Sequence, residues 1–107
     1  MKVSLPLKLA SLANERTHWS VKARRAKEQR RAAFWACKTV DAPVIVTITR
    51  VGKRRLDSDN LAISAKHVRD GIADRLGMDD GDPRIEWRYE QRTGKEYAVE
   101  IQIEPRP

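Results

Sequence analysis

The run Val44-Ile45-Val46-Thr47-Ile48-Thr49 constrains the fold more than any other stretch of the chain. A strand presents alternate side chains to opposite faces, and here both sets are apolar or β-branched. Such a strand is expected in the middle of a sheet, with partners on both edges. Asp41-Ala42-Pro43 ahead of it is a turn signal, and Gly52-Lys53-Arg54-Arg55 behind it is a basic loop.

The partners can be found in the flanking sequence. Residues 2–9 form a short alternating stretch that Pro6 keeps to a sheet edge. Ile85, Trp87 and Tyr89 alternate with Glu86, Arg88 and Glu90, and Tyr97, Val99, Ile101 and Ile103 alternate with Ala98, Glu100, Gln102 and Glu104. Joined through Thr93-Gly94-Lys95, these runs predict a β-hairpin with one face on the core.

Residues 21–38 are strong helix formers without Gly or Pro, and Ser20 is the expected N-cap. Trp19, Ala23, Ala26, Ala33 and Cys37 give this helix a narrow core-facing stripe, with base stacking the competing use of Trp19. Leu61, Ala65, Val68, Ile72 and Leu76 predict a second helix over residues 60–76. Asp59 or Ser58 would cap it, and Gly77 would end it in a left-handed conformation. The chain is therefore expected to fold as one α+β domain over residues 1–107, a mixed sheet of about four strands against two main helices. Cys37 reads as a small buried residue; a lone cysteine makes no internal disulfide, and two histidines offer no zinc-ligand spacing.

The net charge of +7 is unevenly distributed, with +11 on residues 1–56 and −4 on residues 57–107. A basic half joined to an acidic half suits a surface that grips phosphates beside one that holds cations, and it also suits an unevenly charged soluble domain. Lys22, Arg24, Arg25, Lys27, Arg30 and Arg31 supply the basic faces of the first helix, and Lys53, Arg54 and Arg55 supply the loop. No apolar run approaches the roughly 20 residues that span a bilayer, and the N-terminus lacks the apolar core of a signal peptide. The expected location is the cytoplasm.

Asp57-Ser58-Asp59-Asn60 and Asp79-Asp80-Gly81-Asp82 bracket the second predicted helix. Mg²⁺ takes hard oxygen ligands, usually one or two carboxylates with water and phosphate oxygens, so Asp57, Asp59 and Asp79 or Asp80 have the right chemistry. A metal so held can activate water and stabilise charge developing on a phosphate. Helix capping accounts for Asp59 but not for Asp57. Lys66 lies two turns beyond Asp59 on nearly the same predicted face, adding a fixed positive charge, and Asp70 can pair with it at i+4. A calcium loop is excluded, because the glycine and closing glutamate of that pattern are missing after Asp57. A sugar-nucleotide transferase use of Asp57-Ser58-Asp59 lacks a nucleotide-binding unit in so short a chain.

The run Leu56-Asp57-Ser58-Asp59-Asn60-Leu61, then Lys66-x-x-x-Asp70-Gly71 and Gly77-Met78-Asp79-Asp80, resembles the RusA family of Holliday junction resolvases, many of them encoded by phages and prophages. The similarity extends over residues 1–103, including Asn14 and Arg16-Thr17-His18-Trp19, but its specific part is residues 57–80. The resemblance implies a homodimeric, Mg²⁺-dependent endonuclease that cuts four-way DNA junctions by paired incisions in a bacterial or phage-infected cell. It implies Asp57, Asp59 and Asp80 as the catalytic, metal-binding carboxylates and Lys66 as the catalytic lysine. The family's lysine follows the second aspartate by four residues, where this chain has Ile63; Lys66 keeps the spacing to Asp70, as a three-residue insertion would leave it. Asn14, Arg16, His18, Lys22, Arg24, Arg25, Lys53, Arg54 and Arg55 are the expected DNA contacts, whose grip weakens steeply with salt. The alternative is a basic nucleic-acid-binding module without activity, whose carboxylates only cap and solvate.

Overall fold

The doubly apolar run becomes β2 (Val44–Gly52), an interior strand of a four-stranded sheet in the computed structural model, which describes residues 1–10 and 18–107. On one side β3 (Ile85–Thr93) runs parallel to it, with Val44 opposite Ile85 and Gly52 opposite Thr93. On the other side β4 (Ala98–Pro105) runs antiparallel, with Val46 opposite Ile103 and Ile48 opposite Ile101. β1 (Lys2–Leu5) pairs with β4 at the edge, so the order is β1-β4-β2-β3.

The expected hairpin of residues 85–104 does not form. β3 and β4 flank β2 from opposite sides, and the short connection between them passes the end of β2, where the Gly94 N–H donates to the Gly52 carbonyl at 3.0 Å. Alternation correctly identified which face of each strand is buried. It cannot identify a strand's neighbour, and β2 has two hydrogen-bonding edges to satisfy.

One face of the sheet carries the core. Val44, Val46 and Ile48 of β2, Ile85 of β3, and Val99, Ile101 and Ile103 of β4 pack with Leu9, Ala33, Cys37, Ala65, Val68 and Ile72. Each fully buried Val, Leu or Ile side chain among them contributes roughly 1.5–3 kcal/mol, so this layer dominates the stability.

The first helix is α1 (Trp19–Ala36), shifted toward the N-terminus from the expected 21–38. Its N-cap is His18, not Ser20: the His18 ring Nδ1 accepts from the Ser20 N–H at 3.2 Å. The core stripe holds at Ala33 and Cys37 but not at the helix start, where Trp19 is 74% exposed and Ala23 is also exposed. The first turns of α1 lie beyond the core that its last turns cover.

The second predicted helix is two helices, α2 (Ser58–Ser64) and α3 (Lys66–Leu76), separated at Ala65 with φ −92° and ψ 0°. The Ser64 hydroxyl donates to the Leu61 carbonyl at 2.7 Å, turning the last turn of α2 back on itself. Leu61, Ala65, Val68 and Ile72 are all buried, so the apolar spacing carries across a break that it cannot reveal. Gly77 ends α3 with φ 70°, as its position predicts.

α1 packs against α3 closely enough that a Cβ on Gly71 would lie 2.2 Å from the Arg30 carbonyl oxygen. Arg30 then reaches Asp74 with two hydrogen bonds, at 2.6 and 2.9 Å, and this partner holds the Asp74 carboxyl below the usual carboxylate range. Cys37 is buried as expected, and burial pushes its thiol up to about 11 against the opposing pull of Arg75. Among the described residues no helix is long and apolar enough to cross a membrane.

Candidate functional site

α2 and α3 form the crossover from β2 to the parallel strand β3, and each end of that crossover carries one acidic cluster. The first end is fixed by two long polar side chains. Arg50 is 5% exposed; its Nε donates to the Leu9 carbonyl and its Nη1 to the Arg54 carbonyl, both at 2.7 Å. Gln91 grips Leu56 as a strand neighbour would: its Oε1 accepts from the Leu56 N–H at 2.9 Å, and its Nε2 donates to the Leu56 carbonyl at 2.7 Å. The chain therefore arrives at Asp57 with its path set by β2 and β3.

Asp57 is the N-cap of α2, in place of the expected Asp59 or Ser58. Its Oδ1 accepts from the Asn60 N–H at 2.9 Å and its Oδ2 from the Asn60 side-chain amide at 3.1 Å. The helix begins at Ser58, before the first apolar residue of the pattern, Leu61, which is why spacing placed the cap too late. Asp59 occupies the first turn, where a carboxylate meets the positive end of the helix dipole.

The second cluster hangs from β3 by a different set of contacts. The Asp80 carbonyl accepts from the Trp87 indole at 2.7 Å and from Arg69 Nη2 at 2.9 Å. Arg69 also donates through Nη1 to the Tyr89 hydroxyl at 2.8 Å, and its guanidinium carbon lies 4.6 Å from the centre of the Trp87 ring. The Asp80 carboxylate pairs with Arg69, Oδ2 to Nε at 3.2 Å. Asp82 is committed to Arg84, whose side-chain and backbone hydrogen bonds pull its carboxyl down to about 2.

Lys66 opens α3 and pairs with Asp70 at 3.4 Å, the i+4 contact expected of them. The break at Ala65 puts Lys66 and Asp59 on separate helices, so the same-face argument from their spacing fails. Lys66 and Asp80 instead line, with Ala62, Ile63, Arg69 and Tyr89, one open surface cleft of about 350 Å³ between the helices and β3. Ile63 and Lys66 thus line the same cleft.

The carboxylates do not converge. Gln91, which holds the Asp57 end, and Trp87, which holds the Asp80 end, are four residues apart on β3, a rise of about 13 Å. Asp57 is engaged by Asn60 and Asp80 by Arg69, and among the described residues no three His, Cys, Asp or Glu side chains come together as a metal site. Asp57, Asp59 and Asp80 have the donor chemistry for Mg²⁺, but as placed they do not form a ligand set for it.

The expected DNA contacts fall into three groups. Asn14 and Arg16 lie outside the described residues. His18 caps α1, while Lys22 and Arg25 line a cavity of about 150 Å³ with Ala10, Ala26, Gln29, Ser64 and His67; Arg24 is exposed. Lys53, Arg54 and Arg55 are exposed just before Asp57, and Lys53 shares the Tyr97 ring with Lys8, their ammonium groups 5.9 and 4.7 Å from its centre. Burial, then neighbouring Lys66, lowers the His67 pKa from its ordinary value, so this ring is neutral at pH 7.

Sequence reasoning missed the residues that position the site. Arg50 and Gln91 do leave a trace: each continues a core-facing alternation, 44-46-48-50 and 85-87-89-91, with a long polar side chain where an apolar one is due. Arg69 leaves none, since a basic residue on a helix is ordinarily a solvated one. No protein-family model and no curated protein matches the sequence.

Proposed function

We propose that this chain is a structure-specific DNA endonuclease, Mg²⁺-dependent and acting as a homodimer on four-way junctions in the cytoplasm of a bacterial or phage-infected cell. The observation that carries the reading is the shared cleft of Lys66 and Asp80, opened beside the strand that also clamps the Asp57 loop. Two of the residues singled out by the resemblance to RusA-type resolvases thereby line one solvent-accessible space, and Asp57 and Asp59 follow Leu56, which Gln91 of the same strand holds. The basic loop at residues 53–55 adjoins the Asp57 end, so a phosphate drawn by its cations arrives beside the carboxylates. In this reading Lys66 supplies fixed positive charge to the scissile phosphate, and Lys22, Arg24, Arg25 and the loop grip the arms.

A second reading, a basic nucleic-acid-binding module without activity, draws support from the roles Asp57 and Asp80 already have, as a helix cap and an ion-pair partner. Incubating the purified protein with a synthetic four-way junction and with linear duplex, each with Mg²⁺ or EDTA, separates the two. Junction cleavage only with Mg²⁺ is expected. Binding without cleavage of either DNA establishes the second reading instead. Asp80→Asn should abolish cleavage and spare junction binding, and light scattering should report a dimer.

A further inference from the structure

β3 is an edge strand whose outer side is open. Its ladder to β2 is fixed at both ends, where the Val44 N–H donates to the Arg84 carbonyl at 2.9 Å and the Gly94 N–H donates to the Gly52 carbonyl at 3.0 Å. A parallel ladder uses alternate residues, so Glu86, Arg88, Glu90 and Arg92 turn their backbone groups toward β2. Trp87, Tyr89 and Gln91 turn theirs outward, and among the described residues no strand lies beyond them. The strand has 9 residues, with neither Pro nor Gly, and its register with β2 is unbroken from Ile85 to Thr93. Such an edge is a template for another strand. Trp87 and Tyr89, which pack against the core from this edge, are only half-buried.

Charge selects the partner. The face of β3 away from the core reads Glu86, Arg88, Glu90, Arg92, alternating in sign. Laid antiparallel on a second copy of itself about Tyr89, the strand brings Glu86 opposite Arg92 and Arg88 opposite Glu90, so every charged residue of the strand meets the opposite sign. These are the non-hydrogen-bonded positions, where facing side chains come closest. Tyr89 opposite its own copy and Trp87 opposite Gln91 take the hydrogen-bonded positions, as their outward backbone groups require. Sliding one copy by two residues, the smallest step that keeps the faces, sets Arg88 against Arg88 or Glu90 against Glu90.

We propose that β3 pairs antiparallel with β3 of a second copy of this chain, centred on Tyr89, and that this edge is the interface of a homodimer. The inference rests on the endonuclease reading only for its homodimer and needs no catalytic activity. The pairing joins the two sheets into one and satisfies the outward backbone groups of both copies. A two-fold axis perpendicular to the sheet keeps the helices of both copies on the same face. Tyr89 lines the cleft of Lys66 and Asp80 in each copy, so the two clefts open on that face beside the axis.

Sedimentation velocity on the full chain should show a monomer–dimer equilibrium, and a chain still monomeric at about 1 mM overturns the proposal. Arg88→Glu and Glu90→Arg each set like charges opposite one another twice in the dimer, and each should weaken dimerisation about tenfold or more. Mixed in equal amounts, the two variants should form a heterodimer, because the acids of one chain then face the arginines of the other. Both positions are exposed, and circular dichroism checks that the variants fold. Undiminished dimerisation of either variant alone, or no heterodimer in the mixture, overturns the proposal. The main chain provides an independent readout on the unsubstituted protein. Amide hydrogen exchange at Trp87, Tyr89 and Gln91 should slow as protein concentration rises, while Arg88 and Glu90, bonded to β2, stay protected throughout. Outward amides that exchange at the same rate at all concentrations overturn the pairing. A dimer that survives both substitutions sinks this interface and leaves the endonuclease reading its homodimer, whose catalytic part is decided separately by the junction-cleavage assay.

Discussion

Arg50 and Gln91 stand opposite each other in the parallel β2–β3 register and hold the same loop, Arg50 by the carbonyl of Arg54 and Gln91 by both backbone groups of Leu56. Gln91→Leu keeps the volume and removes both bonds to Leu56. With these backbone groups partly buried, it should cost about 1–3 kcal/mol in urea unfolding and speed hydrogen exchange at the Leu56 amide. Unchanged exchange there would mean that the loop is held by other contacts.

Because the two residues share one loop, their effects should not add. Arg50→Met leaves the Leu9 and Arg54 carbonyls without their donor, and the double variant with Gln91→Leu should be more stable than the sum of single losses by about 0.5 kcal/mol or more. Simple additivity in a double-mutant cycle would show two independent anchors.

The α1–α3 crossing depends on a missing side chain more than on its ion pair. Gly71→Ala places a methyl 2.2 Å from the Arg30 carbonyl, which must move, at a cost of about 1–3 kcal/mol. Arg30→Ala, which deletes an exposed pair, should cost about 1 kcal/mol or less. Thermal unfolding of the two variants should therefore rank them in that order.

Burial of Cys37 makes stability fall in alkali. Its folded pKa of about 11 exceeds the ordinary 9.0, so the folded chain keeps a proton that the unfolded chain loses. The resulting stabilisation is complete below pH 9.0 and is lost as pH rises through about 11. Cys37→Ala should flatten that part of the stability curve, and the native thiol should resist a disulfide reagent at pH 8.

The shared cleft predicts a rescue. Under the endonuclease reading, Lys66→Ala should lower junction cleavage about a hundredfold while changing binding little. Since Ile63 lines the same cleft, adding Ile63→Lys should restore part of the rate. Equal losses in cleavage and binding for Lys66→Ala would assign that lysine to DNA grip instead.

Much of this protein was legible in the chain because burial leaves periodic marks. The two-faced run at residues 44–49 required an interior strand, the alternations at 85–89 and 97–103 identified inward faces, and Gly77 marked a left-handed helix end. Residue type and spacing made Asp57, Asp59, Lys66 and either Asp79 or Asp80 candidates, and the choice of Asp80 was only what the resemblance implied. Only the tertiary structure decided which strands are neighbours, since alternation names a face and says nothing about which edge bonds to which. It also decided that one apolar spacing spans two helices, and that Asp57 caps α2 while Asp80 is turned to Arg69. Those outcomes depend on hydrogen-bond and charge partners brought together from distant parts of the chain, and a linear pattern of apolar residues carries no record of them.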